Sequence, residues 1–261
     1  MGVKRRDFFK IAGVTALSAL TATKAVSAFA FGPSGHGGET VSKDNAVRWA
    51  MVIDTRKCGK GAQCKNCPSL RACHEAHNVP DIPNKKHEVK WIWQDSYDHA
   101  FPTQTHALIK DELKTRPVML LCNHCDNPPC VRVCPTKATF KREQDGLVMM
   151  DQHRCIGCRY CMSGCPYGAR SFNWVEPKPH IKKINRAYPV RTLGVVEKCT
   201  FCAERLAKNQ GPICVEACPE KAIVFGNLND PKSEVRKILS VSDSVRRKPH
   251  LGTSPEVYYI M

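Results

Sequence analysis

Sixteen cysteines, the residues best able to do chemistry in this 261-residue chain, fall into four groups of four. Cys155, Cys158, Cys161 and Cys165, followed by Pro166, read CxxCxxCxxxCP. Cys122, Cys125, Cys130 and Cys134 before Pro135 widen the middle gap by two residues. Cys199, Cys202, Cys214 and Cys218 before Pro219 lengthen the same gap further. Cys58, Cys64, Cys67 and Cys73 depart most, with His74 in place of the proline, and complete the set.

The CxxCxxCxxxCP run is the bacterial ferredoxin pattern, and it has a geometric reason. Three close thiolates wrap one iron–sulfur cubane on a tight loop, and the fourth reaches a neighbouring cluster from a short helical turn. Clusters therefore come in pairs, and four groups predict four [4Fe–4S] clusters with all sixteen cysteines as metal ligands. Paired CxxC units could hold tetrahedral zinc, but zinc does not explain repeated groups closed by proline. Disulfides require no such periodicity. Covalent haem needs CxxCH, which the sequence lacks. His74, His77, His124 and His153 adjoin the cysteines; with sixteen thiols filling four clusters, they are expected to pack or hydrogen-bond. No GxGxxG, P-loop or nucleophile elbow occurs. No catalytic residue is expected, and the chemistry implied is electron transfer.

The elements that must position these ligands show as an internal repeat. Cys134 to Phe140, Cys165 to Phe172 and Cys218 to Phe225 each run from a final ligand through proline into a short strand. Gln144-Asp145-Gly146 then signals a turn, and Leu147 to Asp151 returns as a strand, giving a hairpin. Arg48 to Asp54 and Pro117 to Leu121 read as strands feeding the first and second groups, Cys202 to Asn209 as a helix stopping at Gly211, and 80–116 as an insertion. The fold class expected is α+β: two interlocked bacterial-ferredoxin-like modules with short hairpins and helices around four cubane clusters. Module A spans 46–116 plus 187–261, and module B spans 117–186. Trp91, Trp93 and Phe101 in the insertion, with Val257, Tyr258, Tyr259 and Ile260 in the tail, are expected either to cover cluster faces or to dock a partner subunit.

The amino terminus points to export. Lys4-Arg5-Arg6-Asp7-Phe8-Phe9-Lys10 precedes an apolar run, Ile11 to Ala22, and an Ala28-Phe29-Ala30 site. This is the pattern of a twin-arginine (Tat) signal peptide over 1–30, with 31–45 as a flexible lead-in. The run is shorter than the ~20 residues that span a bilayer. The formal charge of +16 is deceptive, because residues 1–30 carry five basic side chains and one acidic. Four clusters, each adding about −2 relative to neutral cysteines, leave the mature protein only mildly basic. Nucleic-acid binding is therefore not expected.

The four cysteine groups, the Tat signal and the tail from Pro249 to Ile260 resemble the four-cluster electron-transfer subunits of the DmsB/NrfC/PsrB class. Ala72-Cys73-His74-Glu75-Ala76-His77-Asn78-Val79-Pro80 and Lys90-Trp91-Ile92-Trp93, leading to Ala100-Phe101-Pro102, look like DsrO, the exported iron–sulfur subunit of the DsrMKJOP complex of sulfur-metabolising prokaryotes. The resemblance implies crossed ligation. Cys58, Cys64 and Cys67 join Cys218; Cys199, Cys202 and Cys214 join Cys73; Cys122, Cys125 and Cys130 join Cys165; and Cys155, Cys158 and Cys161 join Cys134. It also implies a position outside the cytoplasmic membrane, in a complex with a quinone-reactive integral membrane subunit (DsrP/NrfD-like) and a multihaem cytochrome c (DsrJ-like). The alternative within the class is the electron-transfer subunit of a molybdopterin oxidoreductase of the dimethyl sulfoxide or polysulfide reductase type.

Overall fold

The computed structural model describes residues 47–58 and 67–261. The export signal, the lead-in and Cys64 lie outside these residues. The strands are β1 (Trp49–Asp54), β2 (Ile92–Ser96), β3 (Pro117–Leu121), β4 (Thr139–Lys141), β5 (Val148–Met150), β6 (Ser171–Phe172), β7 (Val196–Glu197), β8 (Ile223–Asn227), β9 (Ser244–Val245) and β10 (Val257–Ile260). Most helices are single turns; the longer ones are Pro68–Ala76 and Glu234–Val241. No helix among the described residues is long and apolar enough to cross a membrane.

Strand β1 is the centre of a four-stranded sheet in the order β8-β1-β10-β9. Its side chains alternate between two cores, as a strand's period of two requires. Met51 and Ile53 enter the main core, which also holds most of the cysteines. Ala50 and Val52 pack on the other face with Val235, Ile238 and Leu239 of the helix Glu234–Val241. Being buried on both faces, WAMVID reads as a near-continuous apolar run. The hairpin expected from the turn signal is present as β4 paired with β5, Thr139 opposite Met150. All three repeat copies enter strands, namely β4, β6 and β8.

Three features differ from the sequence reading. The insertion 80–116 supplies β2, which pairs antiparallel with β3 over its whole length, Ile92 opposite Leu121. The expected helix from Cys202 shortens to Ala203–Leu206, since Asn209 turns left-handed (φ 56°) and ends it. The docking role considered for the aromatics is corrected: Trp91, Phe101, Val257, Tyr259 and Ile260 are all buried. The reason is pairing, because β10 is the parallel neighbour of β1, with Ile53 opposite Tyr259. Tyr259 meets Phe101 edge-on at 5.1 Å and donates its hydroxyl to the Met119 carbonyl at 3.3 Å. Trp91 donates Nε1–H to Glu197 at 2.8 Å and stacks on His77.

The chain segments interlock. Strand β6 pairs with β7, Ser171 opposite Glu197, and the Glu256 N–H donates to the Asn123 carbonyl at 2.9 Å.

Candidate metal centres

Two local devices recur at the cysteines. In three CxxC loops the residue before the second cysteine is left-handed: His124 (φ 41°), Gly157 (φ 68°) and Phe201 (φ 53°). In the three Cys-Pro segments the third residue after the cysteine is left-handed: Lys137 (φ 54°), Gly168 (φ 66°) and Lys221 (φ 47°). This conformation costs a non-glycine residue roughly 1–2 kcal/mol, so the loops hold a strained shape. The shape turns backbone amides onto sulfur. Thr139 N–H donates to Cys134 Sγ at 3.5 Å, Ala222 N–H to Cys218 Sγ at 3.3 Å and Phe201 N–H to Cys199 Sγ at 3.4 Å. Such donors stabilise thiolate over thiol.

The cysteines line four cavities of about 270–330 Å³. Cavity I has Cys58, Cys67 and Cys218. Cavity II has Cys73, Cys199, Cys202 and Cys214. Cavity III has Cys122, Cys125, Cys130 and Cys165. Cavity IV has Cys134, Cys155, Cys158 and Cys161. Each cavity thus takes three cysteines, or the two described ones in cavity I, from one group and the last from another. Electrostatic neighbours link the cavities in the order I–II–III–IV: Cys218 acts on Cys214, Cys122 on Cys199, and Cys130 on Cys161.

As free thiols most of these groups hold their protons. Burial pushes Cys73, Cys125, Cys199 and Cys214 far up, and Cys202 to about 12, with neighbouring sulfurs adding to the effect. Cys134 is the exception: burial raises it, but the amide of Thr139 and the hydroxyl of Thr136 bring it below its ordinary value. Sulfurs this buried ionise only against a bound cation, so loading a metal releases protons.

The surroundings supply counter-charge. Arg170 is buried, donates Nη2–H to Cys130 Sγ at 3.2 Å and Nη1–H to Thr139 Oγ1 at 3.1 Å, and acts on Cys161 as well. It therefore stands between cavities III and IV. Lys198 is buried between II and III, its Nζ donating to the carbonyls of Val148 and of Cys199. Neither cation makes an ion pair with a carboxylate among the described residues. An unpaired buried charge is costly, and four-thiolate clusters carrying net negative charge would compensate both. Asn123, lining cavity III, keeps both side-chain polar atoms buried and without a protein partner. The soft donor set, four sulfurs to a cavity, fits iron–sulfur clusters rather than hard cations.

The histidines act as hydrogen-bonding and packing groups. His124 stacks on Phe201 at 3.9 Å, accepts from Val148 N–H on Nδ1 and faces the Cys199 carbonyl with Nε2; burial, then Lys198, holds it well below the usual imidazole range. His77 sets Nδ1 against the Cys73 carbonyl at 2.8 Å and Nε2 against Glu204 at 2.9 Å. His74 Nε2 meets the Ile92 carbonyl at 3.1 Å, and His153 is exposed. Sequence reasoning missed Arg170, Lys198 and Glu197. For Arg170 a signal existed: the fifth position after the final cysteine is Thr139 in one repeat and Ile223 in another, and only this copy places a charge there.

The fold and its cysteine-lined cavities define a dicluster iron–sulfur protein, and two family models described as 4Fe–4S dicluster domains match residues 115–184 and 154–223. The protein holds four [4Fe–4S] clusters. It is 42% identical, over 81% of its own length and 82% of the relative's, to the Hdr-like menaquinol oxidoreductase iron–sulfur subunit 1 of Archaeoglobus fulgidus. It is 37% identical to the menaquinone reductase iron–sulfur cluster-binding subunit of Nitratidesulfovibrio vulgaris, over 84% of this chain and 90% of the relative. It is 35% identical to protein NrfC of Escherichia coli, over 87% and 88%. The chain belongs to the DmsB/NrfC/PsrB-type family of 4Fe–4S electron-transfer subunits.

Proposed function

We propose that the protein is the exported iron–sulfur subunit of a quinol-linked membrane complex, of the DsrO kind, relaying electrons between a quinone-reactive membrane subunit and a multihaem cytochrome c or other redox partner. The observation that carries this reading is the line of four cysteine-lined cavities, a geometry suited to conduction across the subunit rather than to chemistry on a substrate. The names of the relatives from A. fulgidus and N. vulgaris, both of menaquinol or menaquinone enzymes, support the quinone link.

The sixteen cysteines serve as ligands in the quartets that line the cavities, with Cys64 completing cavity I. Bound clusters supply one-electron redox chemistry without proton or bond changes. The chain's own residues do the rest. The buried Trp91, Phe201 and Leu121 around cavity II keep water from the cysteines, which strengthens every charge interaction there. Arg170 and Lys198 fix positive charge at two of the junctions. Arg5 and Arg6 direct the folded, loaded protein through the Tat route.

Purification of the native complex in mild detergent tests the reading. A membrane subunit and a multihaem cytochrome should co-purify, and menaquinol should reduce the iron–sulfur signals. A second reading is favoured by the 34% identity, over the whole chain, with a subunit of the tetrathionate reductase of Salmonella typhimurium: the electron-transfer subunit of a molybdopterin reductase. Molybdopterin in the purified complex would decide for it. Replacing Arg5 and Arg6 by Lys should strand loaded protein in the cytoplasm; normal export would refute the Tat assignment.

A further inference from the structure

Cavity IV differs from the others in its exposure. Cys134, Cys155 and Cys158 are only partly buried, whereas all four cysteines of cavity II and three of cavity III are buried. The surface around it is unusually apolar. Ile156, between Cys155 and Cys158, is 67% exposed, Tyr160 62% and Leu193 54%; Trp174 and Val133 complete the ring. These five are half of the ten large apolar side chains exposed among the described residues.

The ring is held in place. A Cβ on Gly157 would meet the Gly194 carbonyl oxygen at 2.5 Å, so the Leu193–Gly194 turn lies directly against the cysteine loop. A Cβ on Gly164 would meet Val133 at 3.1 Å, and the Arg159 guanidinium sits 4.7 Å from the Trp174 ring. Around this patch the flanking segments carry exposed Arg132, Lys137, Arg154 and Arg159 against the single acid Asp151. A rigid apolar patch inside a polar rim is the anatomy of a binding face.

We infer that this face docks an electron-transfer protein which presents an apolar patch inside an acidic rim. The inference rests on the electron-relay reading above. The occupant is a redox protein because the patch encircles the least-covered cysteine loop at one end of the line of cavities, where electrons must leave or arrive. Its rim is acidic because opposite charges steer encounter and fix register. One electron crosses per docking event; the centre that gives it is oxidised by one, the centre that takes it is reduced by one, and no bond or proton changes hands.

The test places a photo-crosslinking benzophenone amino acid at Leu193 in the full-length protein within its native complex, with Leu108 and Val241, exposed at 89% and 84%, as controls. The expected product joins position 193 to a redox subunit of the complex, beside its acidic residues, in yield about tenfold above the controls, as contact at an interface centre implies. A second variant, Leu193→Glu, should keep its iron content and spectra yet exchange electrons with that subunit about tenfold more slowly. Crosslinks to a second copy, to lipid or to residues 1–46 of the same chain, or yields equal to the controls, would overturn the inference. So would an unchanged exchange rate in Leu193→Glu. If the complex co-purifies and quinol reduces it while position 193 stays uncrosslinked, the docking face alone is wrong; if no redox partner exists, both readings fall.

Discussion

Cavities II and III are each lined by four cysteines, both lie inside the protein, and both take their last cysteine from another group, yet their electrostatic surroundings are opposite. Around cavity II the charges cancel: Arg191 pairs with Glu197 in the interior, and His77 is hydrogen-bonded to Glu204. At cavity III the charge is uncancelled. Arg170 touches Cys130 Sγ, and Arg247, buried with its Nη1 unpartnered, stands over the Tyr167 ring that lines the cavity. The difference teaches that ligand type and burial do not fix the redox properties of such a site. Fixed charges brought in from remote sequence do, since a cation favours the more negative, reduced cluster.

The coarsest way to break the comparison is to remove a ligand from each side. Cys165→Ser should cost the cluster of cavity III, and Cys214→Ser that of cavity II, each lowering iron by up to about four atoms per chain. Iron analysis with electron paramagnetic resonance distinguishes them. If Cys165→Ser instead removed the signal belonging to Cys155, Cys158 and Cys161, the crossed arrangement would be wrong.

A finer test removes the charge and keeps the ligands. Arg170→Met should lower the potential of the cavity III cluster by an amount on the order of 100 mV, since a charge in contact with a buried sulfur is weakly screened. Arg170→Lys should restore much of it. A shift in both variants alike would show that packing, not charge, was lost.

The smallest effect is expected on the other side. Glu204→Gln removes a negative charge near Cys73, so the cavity II potential should rise, by tens of mV at most, because Glu204 is half-exposed and solvent screens it. An equal rise at cavity III would erase the distinction between the two regions.

The cysteine spacing carried most of the site, because ligand geometry is local: CxxCxxCxxxCP specifies a loop and a turn within twelve residues. The strands at Trp49–Asp54 and Pro117–Leu121 and the hairpin after Phe140 were legible for the same reason. What was not legible depends on closure of the chain. The sequence holds 40 lysines and arginines, and nothing local marks Lys198 as buried when its partners are carbonyls brought in by β5 and the Cys199 loop. The tail was ambiguous because Val257–Ile260 has the composition of an interface as much as of a strand; its parallel pairing with β1 spans some two hundred residues.

The most direct test of the account is an iron anomalous-difference map from anaerobically grown crystals of the full chain. It should show four iron clusters, one in each cavity, with Cys165 bonded to the cluster of Cys122, Cys125 and Cys130, and Cys134 to that of Cys155, Cys158 and Cys161. A map in which Cys165 ligates together with Cys155, Cys158 and Cys161, or in which any of the four cavities lacks iron, would contradict it.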